Sequence, residues 1–342
     1  MPLHADGIPW RKRVNLLACG ADMALGRARL SGLPPAMQVE PSSFCNLKCP
    51  LCPTGSGKMP RKQGMMSMET FQCLLDQAGD CLVGIVLYSW GEPFLNPDLP
   101  RMIAACSERR ILTVTSTNGH CLQTEEEARR VVDAGLRALV VALDGSTQEI
   151  YTAYRKHGDV EKVKRCAALI EEAKARAGSM YPYTNLRVVA TRENQEDIPN
   201  LRRLASRMGM NMFSIKSVGC LTSSPTYEGF EASDESLRRY DHRDGVRLER
   251  QPVRCPYPFR QPTVFWDGTV VSCEFDYGME AALGNIHQGP IREIWNSERA
   301  VAIRRSIHSG HDRPKFCGLC PYRGRNPRST VLRCEELKPL NA

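Results

Sequence analysis

Apolar and polar positions alternate along residues 37–218 in two rhythms. Short apolar-rich runs predict strands at Met37–Glu40, Leu82–Tyr88, Ile111–Ser116, Ala138–Leu143, Leu186–Thr191 and Met212–Lys216. Between them, apolar residues recur every three or four positions. These stretches predict helices at Met68–Gln77, Pro97–Arg109, Glu125–Ala134, Val160–Ala177 and Asp197–Met208. Ser67 and Thr124 are suited to start helices, and Gly135 and Gly209 to follow their ends. Strands separated by helices imply parallel βα units, so the expected class is α/β. Six such units can close partly into a barrel, and ligands gather at the carboxyl ends of parallel strands.

The rhythm is absent at both flanks. Residues 1–35 read as a basic, partly helical leader ending at Gly32-Leu33-Pro34-Pro35, and residues 36–222 hold the βα units. Residues 223–254 are polar and aperiodic, as expected of a linker or lid. Residues 255–342 form a smaller C-terminal module. Its Thr263–Trp266 and Thr269–Cys273 flank Asp267-Gly268, a hairpin signal, and Ile291–Ile307 reads as one amphipathic helix.

Composition adds little to this picture. The chain of 342 residues, 42% hydrophobic and 25% charged, is that of a globular protein. Its formal net charge of +8 is spread along the chain, and no basic run is interleaved with aromatics as in single-strand binders. No nucleic-acid partner is therefore expected. Arg11-Lys12-Arg13 precedes an apolar run too short for an export signal, which needs roughly 7–15 apolar residues. A cytoplasmic protein without a membrane span is expected.

The candidate chemistry lies in the cysteines. There are fifteen, an odd number, and in a reducing compartment clustered cysteines point to metal ligation or catalysis. Cys45, Cys49 and Cys52 are spaced C-x3-C-x2-C directly after the first strand. Three thiolates suit a soft metal centre and leave one metal position open, whereas a structural site normally closes with four ligands. Polar clusters follow the later strands: Trp90-Gly91-Glu92-Pro93, Ser116-Thr117-Asn118-Gly119, Asp144-Gly145, Arg192-Glu193-Asn194 and Lys216-Ser217. Each alone is an ordinary turn; together they describe one site. Isolated cysteines such as Cys73, Cys106 and Cys166 read as small buried hydrophobes.

The ordered set resembles the radical S-adenosylmethionine (radical SAM) superfamily from residue 36 to about residue 325. Gly91-Glu92-Pro93 resembles the end of the family's "GGEP" motif, with Trp90 in place of its first glycine. Thr117-Asn118-Gly119 and Leu143-Asp144-Gly145 resemble the motifs after strands three and four, although Ala142 stands where a ribose-facing serine is frequent. Tyr154-Arg155-Lys156-His157-Gly158-Asp159 resembles a segment whose arginine reaches the SAM carboxylate. Downstream, Cys255, Gly268 and Cys273 are spaced C-x12-G-x4-C, and Cys317 and Cys320 form a CxxC. This resembles the SPASM/twitch extension in its shorter, single-cluster form. Cys334 is then a spare thiol or a substitute ligand.

The resemblance implies a partial (β/α)6 barrel with a small C-terminal β-hairpin and helix extension carrying an auxiliary [4Fe-4S] cluster. Cys45, Cys49 and Cys52 would hold the SAM-binding [4Fe-4S] cluster, and Cys255, Cys273, Cys317 and Cys320 the auxiliary one. Glu92 would accept from the SAM amine and Arg155 would pair with its carboxylate, with Asn118 and Asp144 facing ribose or substrate. The implied activity is reductive cleavage of SAM to a 5′-deoxyadenosyl radical that abstracts hydrogen, fed by an external electron donor such as flavodoxin or ferredoxin. The expected substrate is a small molecule of sugar, aminocyclitol or nucleoside type, as in antibiotic biosynthesis. The outcome would be dehydrogenation, or redox-neutral epimerisation or decarboxylation. Cys220 is a candidate hydrogen donor and Lys216 a candidate anion contact. His308 and His311 read as helix-end residues, and Trp266 and Trp295 as core. Two alternatives stay open: a maturase of a ribosomally made peptide or protein side chain, and a non-catalytic zinc or Fe–S protein that binds nucleic acid.

Overall fold

The structure, a computed structural model, describes residues 7–219, 225–243, 246–248, 255–318, 320–323 and 329–337. The chain begins with helix α1 (Trp10–Ala24), then β1 (Ala36–Val39), α2 (Met68–Ala78), β2 (Gly84–Val86), α3 (Leu99–Glu108) and β3 (Leu112–Thr117). It continues with α4 (Glu125–Asp133), β4 (Ala138–Ala142), α5 (Gln148–Tyr154), α6 (Val160–Arg176), β5 (Tyr183–Ala190), α7 (Ile198–Arg207) and β6 (Met212–Ser217). After α8 (Pro225–Phe230) come β7 (Asp241–Arg243), β8 (Val246–Leu248), α9 (Tyr257–Arg260), β9 (Thr263–Val264), β10 (Thr269–Val271) and β11 (Gly284–Asn285). The last elements are α10 (Ile291–Trp295), α11 (Glu298–Ser309), α12 (Lys315–Gly318) and β12 (Val331–Glu336). Contacts divide the chain into two units. The first is Met1–Phe44, Pro60–Val114 and Arg254–Gly318; the second is Cys45–Met59, Thr115–Val253 and Leu319–Ala342.

In the first unit the strands lie in the order β11-β10-β9-β1-β2-β3. β1 pairs in parallel with β2 through Met37↔Ile85, and β9 joins its other edge in parallel through Gln38↔Thr263. The predicted Asp-Gly turn reverses the chain into antiparallel β10. Gly268 takes φ +83°, a conformation that favours glycine. The Ser67 hydroxyl caps α2 by accepting from the Thr70 amide at 3.1 Å.

The leader is docked by its polar side. α1 buries Lys12, Asn15, Cys19 and Asp22. Lys12 Nζ donates to the Arg109 and Arg110 carbonyls at 2.7 and 3.1 Å, satisfying the orphan end of α3. Burial disfavours its charge and lowers its pKa. Asn15 exchanges hydrogen bonds with the Leu33 backbone at 2.8 and 2.9 Å. Hydrophobic periodicity does not detect a helix held in this way.

The expected helix Ile291–Ile307 is two helices. The Asn296 amide bonds both backbone groups of Leu30, and the Ser297 hydroxyl caps the next helix at the Ala300 amide. Buried Arg304 then donates to the carbonyls of Pro258, Trp295 and Ala28 at 2.7, 2.7 and 3.0 Å, with its guanidinium 4.2 Å over the Trp295 ring. Burial pulls its pKa down to about 10. An Arg304→Met change orphans three carbonyls, two of them buried at about 1–3 kcal/mol each, partly offset by removal of a desolvated charge. The expected net loss is about 2–4 kcal/mol, to be read from denaturant melts against wild type. An unchanged midpoint would contradict the clamp role.

In the second unit β4, β5 and β6 are parallel neighbours, with Val141↔Leu186 and Leu186↔Phe213 in register, and β12 lies antiparallel on β6. β5 starts at Tyr183, three residues before the apolar run at Leu186, because its polar start is satisfied internally. Asn211 Oδ1 accepts from the Thr184 amide and from Lys174 Nζ, both at 3.0 Å. α4 opens with a complete capping box of Thr124 and Glu127. Residues 223–254, read as a linker or lid, include buried Tyr227 and Tyr240 packed with Val218. Arg239 ties this stretch to Ser217 Oγ at 2.6 Å, to the Pro321 carbonyl at 3.0 Å and to the Thr330 carbonyl at 2.9 Å. No described helix is long and apolar enough to cross a membrane.

Candidate active site

The three clustered cysteines sit in the second unit on a loop that folds back on itself. A Cβ on Gly55 would lie 2.6 Å from the Cys49 nitrogen and 2.7 Å from its carbonyl oxygen, so only glycine fits this return. The Lys48 amide donates to the Lys156 carbonyl at 3.0 Å, fastening the loop to the segment after α5. Tyr154, the last residue of α5, packs with Leu47 and Cys49 and against Cys45, Cys52 and Phe230. Its ring meets Phe230 edge-on at 5.4 Å. Tyr154 stands in the segment singled out for Arg155, but its packing on the cysteine loop, like Phe230 altogether, carries no sequence signal and was missed.

Each of the three sulfurs receives N–H donors. Cys45 Sγ accepts from the Leu47 amide at 3.5 Å and from Asn118 Nδ2 at 3.8 Å. Cys49 Sγ lies 3.7 Å from Arg155 Nη1. Burial pushes the Cys52 thiol up, while the Gly55 and Thr54 amides donate to its sulfur and act in the opposite sense. Donors aimed at sulfur favour thiolates and tune a cluster's potential, so the set fits an iron–sulfur cluster. Among the described residues no three His, Cys, Asp or Glu side chains are arranged to hold a single metal ion. A cubane binds each thiolate to its own iron, so its ligands need not converge on one point.

Behind the sulfurs lies a polar relay. Asn118 Nδ2 also donates to Asn46 Oδ1 at 2.7 Å. His120 supports this turn: its Nδ1 lies 2.9 Å from the Asn118 carbonyl and its Nε2 accepts from the Asp159 amide at 2.8 Å. Accepting at Nε2 places the proton on Nδ1 in the neutral ring, and burial lowers its pKa. Asp144 is fully buried with both carboxylate oxygens engaged. Oδ1 accepts from the Val189 amide at 2.6 Å, and Oδ2 pairs with Arg155 Nε. Asn194 Nδ2 in turn donates to the Asp144 carbonyl at 2.9 Å. Burial opposes the Arg155 charge, but Asp144 and the Cys49 sulfur outweigh it and raise its pKa. The structure thus places Asp144 against Arg155 rather than leaving it open at the strand end.

Gly91-Glu92-Pro93 lies in the first unit, pressed onto the backbone that leads into the cysteine loop. A Cβ on Gly91 would stand 2.1 Å from the Ser42 carbonyl oxygen and 2.7 Å from that of Phe44. The Glu92 amide donates to the Phe44 carbonyl at 2.8 Å, and Glu92 Oε1 accepts from the Phe94 amide at 3.2 Å.

The downstream cysteines are placed as follows. Cys255 and Cys317 both pack against Leu30, Phe259, Trp295 and Ile307 in the first unit. Burial pushes the Cys255 thiol up while the Tyr257 amide donates to its sulfur. Cys273 is buried just past β10, and Cys320 belongs to the second unit. Cys334 lies exposed in β12 with its sulfur 2.9 Å from the Met212 sulfur. Lys216 ends on β6, and His308 packs its ring 4.9 Å from that of Phe259. Cys220 falls outside the described residues.

Two family models match this chain. The Radical SAM superfamily model covers residues 39–205, and the SPASM iron–sulfur cluster-binding model covers residues 255–321. This is a radical SAM protein with a SPASM extension. It binds a [4Fe-4S] cluster with SAM in the first domain and an auxiliary Fe–S cluster in the second. It is 25% identical over 303 residues to the tungsten-containing aldehyde ferredoxin oxidoreductase cofactor-modifying protein of Pyrococcus furiosus, covering 78% of this chain and 82% of that one. It is 21% identical over 332 residues to the AdoMet-dependent heme synthase of Methanosarcina barkeri, covering 86% and 90%. Its fold is similar to that of Streptococcus suis SuiB bound to precursor peptide SuiA. That likeness has a TM-score of 0.61 at 16% identity and covers 86% of this chain and 71% of SuiB. The likeness is one of fold alone, that of radical SAM proteins with a mixed α/β sheet.

Proposed function

We propose that this radical SAM enzyme acts on a small organic molecule, a metabolite or cofactor, rather than on a peptide. The observation that carries this reading is the extent of the match. The two relatives named for work on a cofactor and on heme align along 78% and 86% of this chain. A maturase of a peptide or protein side chain is the second reading, supported by the fold shared with the peptide-bound SuiB. A sugar, aminocyclitol or nucleoside remains the substrate class expected from the sequence.

When bound, the cluster and SAM supply one-electron reductive chemistry that ends in hydrogen abstraction from carbon; the protein supplies position and exclusion of side reactions. Arg155, fixed by Asp144, would present its guanidinium to the SAM carboxylate, a charge-assisted contact. Glu92 would accept from the SAM amine. Asn118 would hold Cys45 in place through its amide, and Gly55 and Thr54 would do the same for Cys52. Cys273, with the other downstream cysteines, would hold the auxiliary cluster, which would supply one-electron redox chemistry were the outcome a dehydrogenation. A redox-neutral outcome would leave that cluster to anchor or tune the site.

The test is substrate-stimulated release of 5′-deoxyadenosine by anaerobically reconstituted protein with SAM and dithionite. A low-mass ultrafiltrate of cell extract is expected to stimulate release, and protease treatment of that filtrate is expected to change nothing. Stimulation that protease abolishes would hand the function to the maturase reading.

A further inference from the structure

Trp90, which stands where the "GGEP" motif has its first glycine, makes contacts that glycine cannot make. Its indole Nε1 donates to the Glu274 carbonyl at 2.9 Å, one residue beyond the auxiliary ligand Cys273. Its ring meets Phe275 and Tyr277 edge-on, with centroids 6.1 and 5.3 Å away. The same 273–277 segment is held at two further points. Gln38 Nε2 bridges Glu274 Oε2 at 2.7 Å and the Tyr88 carbonyl at 2.9 Å. Arg61 Nε donates to the Tyr277 carbonyl at 2.9 Å, while Arg61 Nη2 pairs with buried Glu40 at 2.6 Å. All these residues lie in the first unit.

On the other side of Trp90 the chain has no slack. Gly91 has no room for a Cβ against the Ser42 and Phe44 carbonyls, and the Glu92 amide is bonded to Phe44. A displacement of Gly91–Pro93 therefore cannot be absorbed locally and passes to Trp90. The ring is packed edge-on and hydrogen-bonded through its only donor, so it is held on the side of the Cys273 loop as Gly91 is on the other.

We propose that Trp90 is a positioning residue that couples the SAM-facing turn Gly91–Pro93 to the loop carrying Cys273, so that SAM binding alters the auxiliary cluster. Thermodynamic linkage makes the effect reciprocal: the state of the auxiliary cluster alters SAM affinity by the same factor, about 5–150-fold for typical couplings. This rests on the two-cluster reading of the chain.

The experiment uses the full reconstituted chain, with iron content, a SAM binding isotherm and an EPR-monitored redox titration of the auxiliary cluster with and without SAM. Wild type is expected to carry about eight irons and to show a SAM-dependent shift of the auxiliary signal. Trp90→Phe, which keeps a ring but loses the N–H, is expected to show a smaller shift. Trp90→Gly, which restores the motif glycine, is expected to show none while retaining its iron. A glycine variant that has lost the auxiliary iron, with Trp90→Phe showing the full wild-type SAM-dependent shift, overturns the proposal, because Trp90 then only holds the Cys273 loop in place. Full iron with a wild-type SAM response in Trp90→Gly overturns it, as does an auxiliary signal in wild type that ignores SAM. A wild-type iron content near four would remove the auxiliary cluster itself, a failure distinct from loss of coupling.

Discussion

Replacing Cys45, Cys49 and Cys52 together with alanine is expected to lower reconstituted iron from about eight to about four per chain and to reduce 5′-deoxyadenosine formation to background. The three sulfurs lie on one loop, and each is already met by N–H groups: Leu47 and Asn118 at Cys45, Arg155 at Cys49, Gly55 and Thr54 at Cys52. Such donors stabilise thiolate, the form that binds iron. The remaining four irons would belong to the auxiliary cluster and would be unaffected by the change. The measurement is iron and sulfide analysis with a product assay under dithionite. A triple variant that still released 5′-deoxyadenosine would remove the loop from the chemistry.

The second large effect is expected at Asp144. An Asp144→Asn change should weaken SAM binding about 10–100-fold, the size of one misdirected charge-assisted hydrogen bond. Asn can still accept from the Val189 amide, so the β4–β5 connection at 2.6 Å need not break. What it cannot supply is the negative charge beside Arg155, whose own burial works against ionisation. The guanidinium would then turn toward other acceptors and lose its fixed aim. Arg155→Lys is a useful companion, since it keeps the charge but not the planar fork. Both are read by equilibrium binding of SAM to the loaded protein. Asp144→Asn binding within about twofold of wild type would mean that Asp144 does not serve Arg155 in this way.

Much of the architecture was legible in the sequence, because strand and helix rhythms are local properties. β4, Ala-Leu-Val-Val-Ala, is apolar on both faces as a central parallel strand should be, and it was bounded to within one residue. The Asp-Gly turn and the capping residues Ser67 and Thr124 also act within three residues of themselves. Elements built on polar contacts were harder to see. α1 hides Lys12, Asn15 and Asp22 and leaves Trp10 and Leu17 exposed, the reverse of the pattern that signals a buried helix face. Residues 223–254 look like linker by composition, yet Tyr227 and Tyr240 are buried. β12 carries Arg333, Glu335 and Glu336 and falls by sequence in the C-terminal module, although it completes the ladder beside β6.

The candidate site divides in the same way. By itself the sequence determined the ligand spacing, the family and the order of the motifs, since a cluster loop needs its cysteines within a few residues. Only the tertiary structure decided which polar side chains are already committed. The Asp144 carboxylate is met by an amide 45 residues away, and the Trp90 indole finds its acceptor 184 residues away. Burial then sets what such groups can do: a desolvated charge or donor must take the partner that the fold brings to it. That requirement makes Asp144 a support for Arg155 and Trp90 a link to the Cys273 loop.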